Sequence, residues 1–407
     1  MPFVAKAQLL NGNSRMEEPS SGKLIAAEQP HKETTKDSVV VSLLTCTPGQ
    51  LVYELYGHTA IRVKEVGRRQ SDWVFNYGTF SFEQPHFMWR FMLGKTDYEL
   101  GVVPYSIFYD AYAREGRGIE EQVLNLTPAE AQRLVDALSN NLLPQNATYR
   151  YNFFYNNCTT RALDVIEKAI DGKVVWPKVN NEMSLRDIVE EFSATSPWNE
   201  FGQNILLGAE TDRGTDIRKQ MFAPIYAERY VEKALVKNAD GSERHLVAPT
   251  CTLLPVQPMP NKNFPISPMA AFGTLLVITI IVSLIEYFKH KLYWQYDVLL
   301  YLSQGLTGCI IAFLFFFSEH PAVGSNWLVL MFNPLPLIFF AWYMKSAVNG
   351  RRCWSVWVEA FMLVATFIVG IAGLQSYPVE AYLIIAALAV RLVAQYVNIP
   401  RAQITEK

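Results

Sequence analysis

Cys158 stands where a row of alternating aromatics, Tyr149, Tyr151, Phe153 and Tyr155, gives way through Asn156-Asn157 to a segment of different period. Beyond it Ala162, Ile166, Ala169 and Ile170 fall on one face of a helix closed by Gly172, so the spacing predicts a thiol at a strand-to-helix junction. A helix start stabilises a thiolate through its dipole and free N–H groups, lowering the pKa from an unperturbed value of about 8.5. The same donors can hold the oxyanion of an acyl-transfer intermediate. Thr159 or Thr160 is placed to cap this start. The nucleophile needs a base, and ahead of the apolar C-terminal part the chain offers His31, His58, His86 and His245. Only His58 opens a strand-like run, inside Tyr56-Gly-His-Thr-Ala60. An isolated Cys is ordinarily a small buried hydrophobe, and an isolated strand His a satisfied one. The Asn-Asn-Cys-Thr-Thr context is what singles out Cys158, and His58 is paired with it.

An imidazole base needs an orienting partner. His58 to Val63 and Trp73 to Tyr77 read as two strands of a hairpin; folded symmetrically about Arg68, residues of like parity share a face, which puts Asn76 beside His58. Tyr56 is a second candidate for that place. Upstream, Val39 to Leu44 is a β-branched strand followed by a turn at Cys46-Thr-Pro-Gly49. Thr127, Pro128 and Glu130 form a capping box for a helix running to about Leu142. The mixture predicts an α+β domain. Cys46 and Cys251, near its two ends, are a candidate disulfide for an oxidising compartment; His86 and His245 read as surface residues.

The 407-residue chain is 50% hydrophobic, 13% aromatic and 18% charged, too apolar for an ordinary soluble enzyme. Thirty-six Lys and Arg balance 38 Asp and Glu to a net −2, so no basic field favours nucleic acid. None of the five Cys has a zinc-ligand spacing, and neither a metal nor another cofactor is expected. Residues 1–38 form a polar arm, within which Phe3 to Gln8 resembles the end of a signal peptide, so the start is expected to lie downstream of the true one. Residues 39–254 form the head, 255–268 a Pro-rich linker, 269–397 a membrane domain and 398–407 a tail.

A span needs roughly 20 apolar residues to cross about 30 Å of hydrocarbon. Met269 to Phe288, Val298 to Phe317, Trp327 to Met344, Trp354 to Leu374 and Ala381 to Val397 are the five candidates. Lys289, His290, Lys291, Lys345, Arg351, Arg352, Arg401 and Lys407 fall in alternate loops and the tail, which places the head outside and the tail in the cytoplasm. Cys309 and Cys353 read as lipid-facing or helix-packing residues. Glu359 and Arg391, costly inside spans, are expected to pair, or Arg391 to snorkel.

Leu44-Thr-Cys-Thr-Pro-Gly49, Tyr56-Gly-His-Thr-Ala-Ile-Arg-Val63, Phe75-Asn-Tyr-Gly-Thr-Phe-Ser-Phe82, Tyr155-Asn-Asn-Cys-Thr-Thr-Arg161 and Phe317-Ser-Glu-His-Pro-Ala-Val323 resemble the Lnb-type lipoprotein N-acyltransferases of Bacteroidota. The resemblance covers head and membrane part, and implies a head of the permuted papain-like fold shared by NlpC/P60 and LRAT proteins, followed by five transmembrane helices. It further implies an inner-membrane protein with a periplasmic catalytic domain. There Cys158 takes an acyl chain from a membrane phospholipid as a thioester and passes it to the α-amine of a diacylated lipoprotein, His58 moving the protons. Tyr56, Asn157, Glu319 and His320 are the candidate substrate-contacting residues; the last two lie in a loop on the head's side, where they either close over the lipid head group or touch the catalytic domain. The same dyad with water as acceptor would make a membrane-anchored hydrolase, a peptidoglycan endopeptidase or lipid thioesterase. A non-catalytic scaffold is the third possibility.

Overall fold

The computed structural model describes residues 38–67, 71–80, 85–178, 183–258 and 263–402. The signal-peptide-like stretch, His31, Arg68 and the second half of the C-terminal tail lie outside them. Two compact units interleave along the chain: Met1–Met88, Thr96–Asn180 and Ile217–Met259 make the first, and Trp89–Lys95, Asn181–Asp216 and Pro260–Lys407 the second.

The first unit is built on seven strands: β1 (Ser38–Cys46), β2 (His58–Val66), β3 (Asp72–Thr79), β4 (Asp97–Pro104), β5 (Ile119–Val123), β6 (Thr148–Arg150) and, late in the chain, β10 (Cys251–Leu254). Their order is β10-β5-β1-β2-β3-β4-β6, every neighbour antiparallel. A smaller sheet joins β7 (Lys173–Val175), β8 (Leu235–Lys237) and β9 (Glu243–His245). The period of two sorts side chains onto two covered faces. Leu44, Cys46, Ala60 and Val74 pack with Phe108 and Tyr112 of helix Tyr105–Glu115. On the other face Thr59 Oγ1 lies 3.0 Å from Thr159 Oγ1 of helix Cys158–Ala169, whose neighbour is helix Pro128–Asn141. Leu43 and Ile61 are fully buried, each worth about 1.5–3 kcal/mol of transfer from water.

Helix Pro128–Asn141 begins with the Thr127 and Glu130 capping box. The row Tyr149 to Tyr155, by contrast, is not one strand. β6 stops at Arg150, and Asn152 Oδ1 accepts from the N–H groups of Phe154 and Tyr155, both at 3.1 Å. That side-chain acceptor turns the backbone, and Phe153 and Phe154 pack against Phe222 instead of alternating across a sheet.

The second unit gathers helices Leu185–Ser193 and Pro197–Leu206 with the C-terminal helices Pro268–Lys289, Trp294–Phe317, Leu335–Val348, Ser355–Ile371 and Val379–Ala402. Three are long and apolar enough to span: Pro268–Lys289, Trp294–Phe317 and Val379–Ile399, while Ser355–Ile371 is a shorter apolar helix. The expected third span, Trp327 to Met344, is broken. It opens as a short 3-10 turn at Trp327–Val329, and the helix starts only at Leu335, whose N–H is taken by Asn333 Oδ1 at 2.9 Å. Pro334 has no N–H to extend a helix through this point, and the 14 residues that follow reach only about 21 Å.

Arg391 and Glu359 do not pair. Arg391 is held by Glu286 at 2.6 and 2.9 Å and by Asp297, which also accepts from Tyr343 and Gln395. Both carboxylates sit on the two preceding long helices, close enough that Arg391 has no need to snorkel. Glu359 instead faces Gln304 Nε2 at 3.4 Å.

Candidate active site

The helix that carries Cys158 is capped neither by Thr159 nor by Thr160. Asn157 is the N-cap: its Oδ1 accepts from the N–H groups of Thr159 and Thr160, each at 3.0 Å, and its Nδ2 donates to the carbonyls of Phe153 (2.9 Å) and Phe222 (2.8 Å). A buried amide with both hydrogens and its oxygen so engaged has nothing to offer a substrate. Asn157 is thus corrected from substrate contact to the cap that sets Cys158 on the first helical residue.

His58 opens β2 directly opposite Cys46 of β1. Gly57 makes that position reachable: its φ is +83°, and a Cβ there would come within 2.4 Å of the Cys46 carbonyl oxygen. The β2–β3 register sets Ile61 against Phe75 and Lys64 against Asp72, a pairing centred on position 68. His58 and Asn76 therefore share a face, with His58 Nε2 3.1 Å from Asn76 Oδ1. Asn76 Nδ2 donates to the Val74 carbonyl at 3.3 Å, which turns the amide oxygen toward the ring. Nε2–H is then the donor and Nδ1 is left for the thiol.

Burial pushes the Cys158 thiol up, but the charge and hydrogen bond of His58, the Thr59 N–H and the Thr159 hydroxyl outweigh it and bring the pKa down to about 7. Thr159 Oγ1 lies 3.8 Å from Sγ. Gly78, with φ +88°, borders the sulfur-bearing carbon: a Cβ built on it would lie 3.6 Å from Cys158 Cβ. The structure thus brings together the thiol of Cys158, the imidazole of His58 and the amide of Asn76, the groups that thiol-based acyl transfer requires.

Tyr56 is buried edge-on against Phe153 (4.8 Å between centroids) and tilted against Phe222 (6.4 Å), while the side chain that meets His58 Nε2 at 3.1 Å is Asn76. Cys46 and Cys251 are both free thiols. β5 lies between their strands, pairing Ile119 with Cys46 and Glu121 with Cys251, so the two backbones are about 10 Å apart, beyond disulfide reach. Cys46 is sealed in the sheet, where burial pushes its thiol up to about 12. Glu319 and His320 belong to the second unit and bind the segment Trp89–Lys95 within it: Glu319 pairs with Lys95 at 3.2 Å, and His320 Nε2 meets the Phe91 carbonyl at 3.0 Å. Thr59, Gly78 and Tyr149 had no distinguishing spacing; only packing around Cys158 draws them in.

Two family models match the sequence, the Lnb N-terminal periplasmic domain over residues 26–190 and the Lnb transmembrane domain over residues 260–403. The first encloses His58, Asn76 and Cys158. No curated protein and no solved structure matches the chain.

Proposed function

This chain belongs to the Lnb family, and from that membership we propose that it is a lipoprotein N-acyltransferase working by ping-pong transfer through Cys158. The observation that carries the proposal is the half-buried thiol lowered to about 7 by His58, itself held by Asn76. A strand His, its amide partner and a Cys at a helix start also support a permuted papain-like reading of the head, akin to NlpC/P60 and LRAT proteins.

In the first half-reaction the thiolate of Cys158 attacks an ester carbonyl carbon of a phospholipid. The new S–C bond moves the carbonyl π pair onto oxygen; collapse breaks the C–O bond, and the imidazolium of His58 gives its proton to the departing glycerol oxygen. Lysophospholipid leaves and a thioester remains. In the second half the α-amine of an S-diacylglyceryl-cysteine attacks that thioester, His58 accepts the amine proton, and the thiolate is expelled as the amide forms. Leu51, Val52 and Tyr53, exposed shortly upstream of His58, give the first unit apolar surface suited to acyl chains, and the second unit keeps the protein in the bilayer where both substrates reside.

The test is mass spectrometry of a lipoprotein N-terminus from cells lacking N-acylation, supplied with this protein intact or as Cys158→Ser. Amide-linked acyl chain with the intact protein and none with the variant is the expected result. Equal acylation by both would remove Cys158 as nucleophile, and none by either would remove the function. Release of free fatty acid without lipoprotein modification would instead support the hydrolase.

A further inference from the structure

The transition states just described place negative charge on a carbonyl oxygen, and the helix start supplies less than its geometry promises. Asn157 Oδ1 occupies the Thr159 and Thr160 N–H groups, and the Arg161 N–H already bonds the Asn157 carbonyl. Of the first-turn donors, only the Cys158 N–H is left open among the described residues. An acyl-transfer oxyanion is ordinarily held by more than one donor.

Tyr149 supplies a second donor at the right place. Its side chain is 7% exposed, yet its hydroxyl has no hydrogen-bond partner among the described residues. Buried hydroxyls are normally satisfied, and an orphan asks for a ligand. The ring is held firmly, with the Arg161 guanidinium 4.4 Å from its centroid and Tyr77 edge-on at 6.2 Å. One point in space locates the hydroxyl: a Cβ built on Gly78 would lie 3.6 Å from Cys158 Cβ and 3.9 Å from Tyr149 Oη. The nucleophile and the orphan hydroxyl border one small space, which the missing side chain of Gly78 leaves open.

We propose that the Tyr149 hydroxyl and the Cys158 N–H together form the oxyanion site, donating to the carbonyl oxygen of the incoming ester and then of the thioester. The assignment rests on Cys158 as the acylated group. Burial holds the phenol well above its ordinary range, so it keeps its proton and acts as a donor, not a base. As the C–S bond forms and the π pair moves to oxygen, both donors shorten onto that oxygen; when the C–O or C–S bond breaks, the pair returns and the donors relax. No proton leaves Tyr149 at any step.

The experiment compares intact protein with Tyr149→Phe, full length in detergent, using two probes of Cys158. Iodoacetamide alkylation passes through no oxyanion, so its rate and pH midpoint should be the same in both. Acylation by p-nitrophenyl butyrate, followed by the nitrophenolate burst and by intact mass, should slow about 100-fold in Tyr149→Phe, in the rate constant and not in the ester's apparent affinity. Acylation slowed less than about threefold, or alkylation slowed as much as acylation, would overturn the proposal. The variant keeps the ring and its packing, and unchanged alkylation reports an intact site. Because the ester requires neither lipid nor lipoprotein, protein that takes its acyl group but leaves lipoproteins unmodified overturns the acceptor proposed above, not the oxyanion assignment.

Discussion

At pH 7 an unperturbed cysteine is only about 3% thiolate, whereas Cys158, lowered to about 7, is half ionised. Its alkylation rate should therefore rise with pH to a plateau, with a midpoint near 7. His58→Ala removes the charge and hydrogen bond that oppose burial, so the midpoint must move upward and the rate at pH 7 fall by about tenfold; an unmoved midpoint would dissociate His58 from the thiol. Asn76→Ala leaves the ring free to turn about its Cβ. Acyl transfer should drop by about 10- to 100-fold, with a smaller change in alkylation at saturating pH, as measured by parallel rate profiles. The hairpin parity already placed Asn76 beside His58, because a period of two and a symmetric turn are local properties. Tyr149 was not distinguishable in this way: it is one aromatic in a row, and only the tertiary structure, which sets Arg161 of the Cys158 helix over its ring, reveals that its hydroxyl has no partner among the described residues.

The junction ahead of Cys158 depends on one amide. Asn157 caps the helix and closes two carbonyls from separate segments, Phe153 and Phe222. Asn157→Ala should cost about 2–4 kcal/mol, a lost cap plus two unpaired buried acceptors. Asn157→Asp keeps the acceptor but not the donors and should fall between. Thermal unfolding in detergent ranks the three proteins, and a melting temperature unchanged in Asn157→Ala would mean the amide is dispensable. Thr159 and Thr160 looked equally able to cap because N-cap preference alone does not distinguish Asn, Ser and Thr. Backbone geometry decides: Asn157 is extended, at φ −115° and ψ −169°, while both threonines are already helical. The same kind of side-chain competition, by Asn152, ended the expected aromatic strand after Arg150.

Across the whole molecule the compact units do not divide the chain at one point. Phe201 and Ile205 pack with Ile311, Leu328, Leu363 and Ala381, and Trp198 Nε1 donates to the Ile266 carbonyl at 2.8 Å. A chain ending at Met259 would expose that surface of Asn181–Asp216 to water. Such a truncation should aggregate without detergent, and a monodisperse soluble product on size exclusion would contradict this. Within the second unit Arg391 neutralises Glu286 and Asp297 while buried. Arg391→Met should destabilise by about 3–5 kcal/mol, because two buried carboxylates lose their cation. Adding Glu286→Gln and Asp297→Asn should recover much of the loss, as read by thermal inactivation in detergent.

Alternation, helical period, a Pro-rich break and long apolar runs are properties of neighbouring residues, so the sequence by itself determined the α+β head, the membrane part, the Thr127 cap and the shared face of His58 and Asn76. Which groups meet across the chain depends on how finished elements pack, and only the tertiary structure decided that. It brought Arg391 to Glu286 and Asp297, put β5 between Cys46 and Cys251, drew Trp89–Lys95 and Asn181–Asp216 into the second unit, and left the Tyr149 hydroxyl, in the space beside Gly78, without a partner among the described residues.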